Sequence, residues 1–275
     1  MKPRRFAYCR PDTVDEALAL LAEHGEAACV LAGGQSLIPL LNFRLVDAAV
    51  LVDIARIPAL GDIREEPDWL EVGAAVTQAR LLAHPGLARS MPLLAQALPF
   101  VGHLQTRSRG TVCGSLAHAD PSAELPLCLA TLGGFVVLRS SRGERVLSVG
   151  AFQTGALTTA RAPDELVAAA RFLRAPATAG ASFTEMARRH GDFAIASLAA
   201  VAQGDTLRLG VGGVADRPTV REWRGLAEAD WPDALNAFAW ELGGRDDTHA
   251  SAHYRRDLVR RLGAASLRKA RACAG

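Results

Sequence analysis

Apolar and polar positions alternate in short blocks along the chain, and their spacing predicts small strands and helices in mixed order. An apolar run at residues 28–32 ends in a pair of glycines, and apolar positions then recur at helical spacing through residues 36–45. A second apolar run follows at residues 50–54. These blocks predict a strand, a tight turn, a helix that Ser36 caps, and another strand.

Signals for helix ends and turns extend this pattern on both sides. Thr13 and Glu16 have the spacing of a capping box, and the helix that they start is expected to end at Gly25. Farther along, apolar periodicity predicts strands at residues 69–74, 135–138 and 145–149, and helices at residues 77–84 and 87–98.

The second half of the chain contains one ambiguous segment. The alanines of residues 165–173 favour a helix. Residues 175–180 are expected to form a linker. After it, the pattern predicts an apolar hairpin at residues 195–202 and 206–212, and helices at residues 231–242 and 251–272. The many arginines of the last helix are expected to form a solvated face.

Residues 107–126 place small residues and single polar groups where a core segment would have bulky side chains. Gly110 and Gly114 permit backbone conformations that other residues avoid, and Thr111 lies between them. Successive N–H groups in such a loop, next to a helix that Asp120 is expected to start, favour an anion such as phosphate. A glycine-rich connection without a ligand is the alternative.

The strand, glycine turn and helix start at residues 28–39 have the same character. Neither segment matches GxGxxG or GxxxxGK(S/T), which disfavours a Rossmann or a P-loop nucleotide site. Two phosphate-sized nests in one chain suggest a dinucleotide whose pyrophosphate lies between them.

The composition fits a folded globular protein and argues against several classes of function. The 275 residues are 49% hydrophobic and 22% charged, and their net charge of +2 gives no electrostatic reason to expect nucleic acid or membrane binding. No apolar run reaches the roughly 20 residues of a membrane span, and the basic N-terminus lacks the apolar segment of a signal peptide.

No catalytic or metal-binding constellation is expected in this chain. The five cysteines share no CxxC or other cluster spacing, so we expect neither an iron–sulfur cluster nor structural zinc, and a reducing cytoplasmic location fits. GxSxG, HExxH and usefully spaced carboxylate pairs are absent. His103 and His118 are either an acid–base pair or structural residues, and we favour the structural role.

Three stretches carry a resemblance to a known family: LAGGQSLIPLLNFRL, RGTVCGSLAHADPSAELP and RHGDFAIASLAAV. Together they resemble the flavin-binding medium subunit of the molybdenum hydroxylases, the family of carbon monoxide, xanthine and nicotine dehydrogenases. The resemblance covers nearly the whole chain. It implies an α+β fold with a two-lobed FAD-binding domain at residues 1–56 and 57–176 and a smaller α+β domain at residues 181–275. It also implies a strand, not a helix, at residues 165–173.

The resemblance implies an FAD-carrying electron-transfer subunit. Substrate would be oxidised at a molybdenum–pterin centre in a large subunit, and electrons would pass through [2Fe–2S] clusters in a small subunit to this flavin and then to an external acceptor. The expected assembly is a heterotrimer that can dimerise. A stand-alone FAD-dependent oxidase or dehydrogenase and a non-catalytic nucleotide-binding module are the alternatives.

The resemblance also implies the cofactor-binding residues. The FAD pyrophosphate and ribose are expected at Leu31, Ala32, Gly33, Gly34, Gln35, Ser36, Leu37 and Ile38, and at Thr111, Val112, Cys113, Gly114 and Ser115. Val101 and Gly102 are expected nearby, with His118 and Glu124. Leu166, Asp192 and Phe193 are expected near the isoalloxazine. Asp120 either caps the following helix or contacts the cofactor.

Several positions depart from the family pattern. Cys113 stands where the family commonly has glycine, so a side chain is expected in the nest, without a positive φ. Ser115 replaces a common asparagine, and Glu124 replaces a common aspartate. Thr184 is placed where some relatives have a lysine over the flavin.

Overall fold

A computed structural model describes residues 2–275. The N-terminal lobe is a three-stranded parallel sheet in the order β1-β3-β2. Its elements are β1 (Ala7–Cys9), α1 (Val14–His24), β2 (Ala28–Leu31), α2 (Leu37–Asn42) and β3 (Val50–Asp53). The strands predicted at residues 28–32 and 50–54 are therefore confirmed.

Helix α1 begins and ends as its sequence predicts. The Thr13 hydroxyl accepts a hydrogen bond from the N–H of Glu16 at 3.2 Å. The Glu16 carboxylate reaches back to the N–H of Asp12 at 2.8 Å, one residue earlier than in the usual capping box. Gly25 ends the helix with a φ of 50°. The apolar face of the helix is buried in the core.

The second lobe is built on a five-stranded antiparallel sheet in the order β4-β5-β10-β6-β7. Its strands are β4 (Ile63–Glu65), β5 (Trp69–Gly73), β6 (Phe135–Ser140), β7 (Gly143–Ser148) and β10 (Leu166–Leu173), with a separate pair of short strands, β8 (Gln153–Gly155) and β9 (Thr158–Thr159). Its helices are α3 (Gln78–Leu82), α4 (Leu87–Ser90), α5 (Pro92–Ala97), α6 (Leu104–Arg109), α7 (Val112–His118), α8 (Glu124–Leu132) and α9 (Val149–Phe152). Strand β10 lies in the centre of the sheet, which confirms a strand at residues 165–173.

The C-terminal domain is a four-stranded antiparallel sheet in the order β11-β12-β13-β14, followed by two helices. Its elements are β11 (Gly180–Met186), β12 (Ala196–Gln203), β13 (Thr206–Gly212), β14 (Thr219–Arg224), α10 (Trp231–Glu241) and α11 (Ala252–Ala272). Helix α11 packs on β11 and β12, and α8 of the second lobe packs on β12 and β13. Close packing by α8 requires glycine in β13, because a Cβ at Gly210 would lie 2.0 Å from the Thr131 hydroxyl oxygen.

Several expectations about this fold were wrong in detail. Sequence patterns did not reveal strands β1, β4, β8, β9, β11 and β14 or helices α6, α7 and α9, most of which are short or interrupted by polar residues. The expectation that the arginines of α11 all face solvent fails at Arg255, whose side chain is buried.

No helix within residues 2–275 is long and apolar enough to cross a membrane.

The helix predicted at residues 36–45 is shorter, and the side chain of Ser36 does not cap it. Ser36 already has helical dihedral angles of −99° and −47°, so its hydroxyl does not take the capping position. The chain reverses at Arg44, which has a left-handed φ of 58°. The helix predicted at residues 87–98 is broken at Met91, because a proline disfavours helical geometry in the residue before it.

Residues 107–126 are mostly helical, where we expected a loop. Thr111 is the N-cap of α7, and Gly114 lies inside that helix. Neither Gly110 nor Gly114 has a positive φ. The loop interpretation was wrong because the two glycines were assigned to turns, although one only precedes a helix and the other belongs to it.

The helix after this segment begins later than predicted. Helix α8 starts at Glu124, with Ala123 in the N-cap position. Asp120 does not cap it. The Asp120 carboxylate instead accepts a hydrogen bond from the N–H of Ser122 at 2.8 Å, which is a local turn ahead of the helix.

Candidate cofactor-binding site

The two glycine-containing segments chosen from the sequence meet at Gly33. A Cβ atom at Gly33 would lie 2.1 Å from the carbonyl oxygen of Arg109 and 2.8 Å from the Cα of Gly110. No side chain fits in that space without moving the backbone. Glycine therefore lets the connection between β2 and α2 lie directly against the residues that precede Thr111.

The connection between β2 and α2 presents a run of unpaired backbone donors. The N–H groups of residues 33–37 find no hydrogen-bond acceptor among residues 2–275. Gly34 has a left-handed φ of 71°, which turns the backbone at this point, and the N–H of Ile38 donates to the Gly34 carbonyl at 3.1 Å. Consecutive unpaired N–H groups just before a helix are typical of an anion-binding concavity.

The segment that begins at Thr111 differs from the nest that we expected. The N–H of Gly114 donates to the Thr111 hydroxyl at 3.0 Å, the N–H of Ser115 donates to the Thr111 carbonyl at 3.2 Å, and the N–H of Val112 donates to the Val76 carbonyl at 3.1 Å. These donors are already paired. The segment is a capped helix start, and its contact with FAD stays a prediction.

The Cys113 side chain does not enter a binding loop. It points toward β5, where its thiol donates to the Val72 carbonyl at 3.4 Å. Burial raises the pKa of Cys113 to about 12, so the group stays a neutral thiol. The cysteine that replaces a common glycine of the family is therefore accommodated in the core, with ordinary helical geometry.

Arg107 holds the loop that contains Val101 and Gly102. Its Nη1 donates to the carbonyl oxygens of Pro99 at 3.2 Å, Val101 at 3.0 Å and Gly102 at 3.0 Å. Gly102 has a φ of 49°, so these carbonyls converge on the guanidinium. We did not predict this role, because the sequence does not indicate which carbonyl groups an arginine near the end of a helix will contact.

Glu124 lies buried at the first turn of α8, close to that arginine. Burial raises the pKa of Glu124 to about 7; Asp120 also raises it, while Arg107 opposes the shift. No side chain donates a hydrogen bond to its carboxyl group within residues 2–275. A carboxyl group in this setting is readily protonated near neutrality.

The C-terminal domain covers the loop at residues 100–103. The rings of Phe100 and Phe183 lie 5.4 Å apart, and those of His103 and His190 lie 6.0 Å apart. A Cβ at Gly191 would be 2.5 Å from Cε1 of His103. His103 thus packs against the C-terminal domain, which supports a structural role for this histidine over an acid–base pair with His118.

The remaining residues of the expected site differ in exposure. Leu166 is fully buried at the start of β10, whereas the Phe193 side chain is 71% exposed. His118 is half-buried in the last turn of α7. The residues that are exposed or partly exposed are Leu31, Ala32, Gln35, Ser36, Leu37, Ile38, Asp120 and Asp192. Leu166 can therefore contact a ligand only if the residues above it move.

Thr184 does not face the flavin-binding domain, contrary to its expected place. Its hydroxyl accepts a hydrogen bond from the Ser266 hydroxyl at 3.1 Å, on the side of α11. Alternation along a strand places Phe183 and Glu185 on the opposite face, toward the flavin-binding domain, whose α5 packs on β11. Of these two neighbours, Glu185 and not Thr184 is therefore on the face toward the flavin-binding domain. Across residues 2–275, no cluster of three or more His, Cys, Asp and Glu is placed to hold a metal ion.

Most of the segments described above lie in a part of the chain that matches the model of a known protein family. Residues 4–178 match the FAD binding domain in molybdopterin dehydrogenase. The chain belongs to this family. Among its relatives are subunit alpha of the 6-hydroxypseudooxynicotine dehydrogenase complex of Paenarthrobacter nicotinovorans, 37% identical over 98% of this chain and 96% of that protein, and the carbon monoxide dehydrogenase medium chain of Hydrogenophaga pseudoflava, 34% identical over 87% of this chain and 86% of that protein.

Solved structures extend the likeness over the whole fold. Reconstituted CO dehydrogenase from Oligotropha carboxidovorans matches with a TM-score of 0.94 and 30% identity, covering 100% of both chains. Quinoline 2-oxidoreductase from Pseudomonas putida 86 matches with a TM-score of 0.91 and 33% identity, covering 98% of both chains. The expected family, the α+β fold class and FAD as the cofactor are confirmed. This member of the FAD-binding family is an oxidoreductase subunit.

Proposed function

We propose that residues 33–37 bind the pyrophosphate of FAD through their backbone N–H groups. This row of donors is the observation that carries the proposal, because phosphate oxygens accept hydrogen bonds and cannot donate them. The residues present fit this group. Gly33 packs against Arg109 and has no side chain that could cover the donors. The segment at residues 111–115 would then support the adjoining ribose.

We propose that the isoalloxazine lies between the flavin-binding domain and the C-terminal domain. Residues 101–102, Glu124 and Leu166 would line it from the flavin-binding domain, and Asp192 and Phe193 from the C-terminal domain. Support comes from the Arg107 hydrogen bonds that hold residues 99–102, and from the packing of Gly191 on His103. The proposed domain boundaries, at residues 1–56, 57–176 and 181–275, fit a cofactor that two lobes hold and the C-terminal domain covers.

When bound, the flavin supplies the redox chemistry, which includes exchange between one-electron and two-electron carriers. The residues of this chain position the ring, exclude water and set the charge around it. Electrons would enter from [2Fe–2S] clusters of a small subunit, after substrate oxidation at a molybdenum–pterin centre in a large subunit. A heterotrimer able to dimerise is proposed, since relatives are named as subunits or medium chains. Free thiols at all five cysteines fit a cytoplasmic complex.

The decisive experiment is anaerobic mixing, with the flavin absorbance followed in time. The subunit loaded with FAD is mixed with carbon monoxide, aldehydes or nitrogen heterocycles, first alone and then in the complex with its co-produced partner subunits. We expect bleaching only in the complex. Rapid bleaching of the isolated subunit by the same compound would establish a stand-alone flavoenzyme. Failure to bind FAD at all would favour the nucleotide-binding module.

A further inference from the structure

Glu185 and Ser197 share one face of the C-terminal sheet. They are direct partners across the antiparallel pair of β11 and β12, and cross-strand partners project to the same side. Phe183, two residues before Glu185, lies on that face and contacts Phe100 of the flavin-binding domain. Glu185 and Ser197 therefore project into the interface between the two domains.

The Ser197 hydroxyl is buried there without a partner. Its side chain is fully buried, and its Oγ makes no hydrogen bond within residues 2–275. Space for it exists because Gly212 has no Cβ: that atom would lie 2.7 Å from the Ser197 Oγ, 3.3 Å from the Pro121 carbonyl oxygen and 3.4 Å from Cδ2 of Leu127. The hydroxyl thus lies beside Gly212, where β13 packs against Pro121 and Leu127 of the flavin-binding domain.

The two carboxyl groups of this interface form no ion pair. Oε2 of Glu185 is buried with no hydrogen-bond partner, and Glu124 is only 8% exposed. No arginine, lysine or histidine forms an ion pair with either residue within residues 2–275. The other charged groups close to Glu124 are Asp120 and Arg107, both from the flavin-binding domain.

Negative charge on both of these carboxyl groups is costly because neither forms an ion pair, so at least one of them holds a proton near neutral pH. Burial raises the pKa of Glu185 to about 8, and repulsion from Glu124 adds to this. The two groups are coupled, so they titrate as a pair. A metal ion is not an alternative partner, because no third His, Cys, Asp or Glu of residues 2–275 completes a site.

We propose that Glu124, Glu185 and the Ser197 hydroxyl form a proton-binding site at the domain interface, which takes up a proton when negative charge is added beside it. The link to the flavin rests on the function proposed above. Iron–sulfur clusters of a partner subunit deliver electrons without protons, so each electron adds a negative charge to the flavin site. Solvent supplies the proton: a hydronium ion loses it and becomes water, while a carboxylate gains it and becomes a carboxylic acid.

The pair is tested first in the full chain without FAD. Infrared spectroscopy follows the protonated carboxyl band between pH 5 and 10 in the wild type, in Glu185→Gln, and in the exposed control Glu26→Gln. We expect the wild type and the control to lose this band near and above pH 7. Glu185→Gln should lose only one carboxyl signal, and at lower pH, because Glu124 then faces the like charge of Asp120 but not that of Glu185. A Glu185→Gln titration equal to that of the wild type would overturn the proposal.

Coupling to the flavin is tested with the subunit loaded with FAD. Dithionite reduction in weak buffer at pH 7.5, with a pH indicator, gives the protons taken up per two electrons. We expect a smaller uptake in Glu185→Gln than in the wild type and in Glu26→Gln. Equal uptake in all three would refute the coupling, although the carboxyl titration would remain. If FAD does not bind, the proposed function fails while the titration without FAD still decides on the proton site.

Discussion

Arg255 donates a hydrogen bond from Nη1 to the carbonyl oxygen of Gly213 at 2.6 Å, and the N–H of Gly213 donates to the Pro121 carbonyl at 2.8 Å. The same Nη1 donates to the Ile195 carbonyl at 2.5 Å, and Nη2 donates to the Asp247 carboxylate at 2.6 Å. One buried guanidinium therefore fixes one of the loops through which the C-terminal domain contacts the flavin-binding domain.

Replacing this guanidinium should destabilise the protein strongly. Arg255→Met leaves two buried carbonyl groups without their donor, and we expect the free energy of unfolding to fall by about 3 kcal/mol. Urea denaturation followed by circular dichroism measures the change. Arg261→Met, at an exposed position of the same helix, should stay within about 0.5 kcal/mol of the wild type. Equal stability of both variants would contradict a structural role for Arg255.

Asp247, which accepts a hydrogen bond from Arg255, should make the stability of the protein fall at acidic pH. Burial alone would raise the pKa of Asp247, but hydrogen bonds from the N–H groups of His249 and Ala250 and from Arg255 outweigh it and lower the pKa to about 2. The stabilisation is complete above the unfolded pKa of about 4 and is lost as the pH falls through about 2. The melting temperature of the wild type should exceed that of Asp247→Asn at pH 6, and this difference should shrink between pH 4 and pH 2.

Apolar periodicity located most strands and helices of this fold, because one-sided burial imposes a period of two on strands and of 3.6 on helices. The elements Val50–Asp53, Thr206–Gly212 and Trp231–Glu241 lie close to their predicted bounds. It failed in residues 107–126, where Gly114 indicated a loop. The Thr111 cap and the tight contact of Gly33 with Arg109 make a helix start there, and that contact joins residues far apart in the chain.

The candidate site was only half predictable for the same reason. The glycine pair at residues 33–34 can be recognised in the sequence, since only a turn free of side chains leaves its N–H groups accessible to a ligand. Glu185 and Ser197 cannot be recognised in this way, because neither residue is unusual until the antiparallel register places them opposite each other, on the face toward the flavin-binding domain. The resemblance assigned Thr184 from its position in the sequence alone. Which of two neighbouring residues faces the flavin-binding domain depends on the alternation of side chains along the strand.

The start of α7 depends on one hydroxyl group. Thr111→Val keeps the shape of the side chain but removes the acceptor for the N–H of Gly114, and loss of such a cap costs about 1 kcal/mol of stability. Thr111→Ser keeps the acceptor and should restore most of the loss. Thermal and urea unfolding of the three proteins measure the effect. A serine variant as unstable as the valine variant would show that packing, not capping, explains the cost.

FAD should be bound without a covalent bond. Cys113 lies in the segment proposed to support the ribose, and its burial and its pKa of about 12 keep it from acting as a thiolate nucleophile. Acid precipitation of the loaded subunit should therefore release all of the yellow colour into the supernatant. Thiol labelling of the native protein should modify the exposed Cys273 and spare Cys113. Flavin that stays with the pellet would contradict this prediction.

The contact between Gly33 and Arg109 should determine FAD affinity. A methyl group at position 33 would lie 2.1 Å from the Arg109 carbonyl oxygen, so Gly33→Ala must push the two segments apart. The N–H groups of residues 33–37 would then lose their arrangement around the phosphates. We expect the Kd for FAD to rise by about tenfold or more, which corresponds to about 1.4 kcal/mol. Fluorescence titration of the apoprotein with FAD measures it.

The control for this variant is Gly150→Ala, because a Cβ at Gly150 meets no atom within 4 Å and this glycine has no positive φ. Both variants add the same methyl group, and circular dichroism should show that both are folded. Only the variant at position 33 places its methyl group between the two segments. If Gly33→Ala is folded and binds FAD as tightly as Gly150→Ala, the donors of residues 33–37 do not hold the pyrophosphate. A loss of affinity in Gly33→Ala alone would tie FAD binding to this contact.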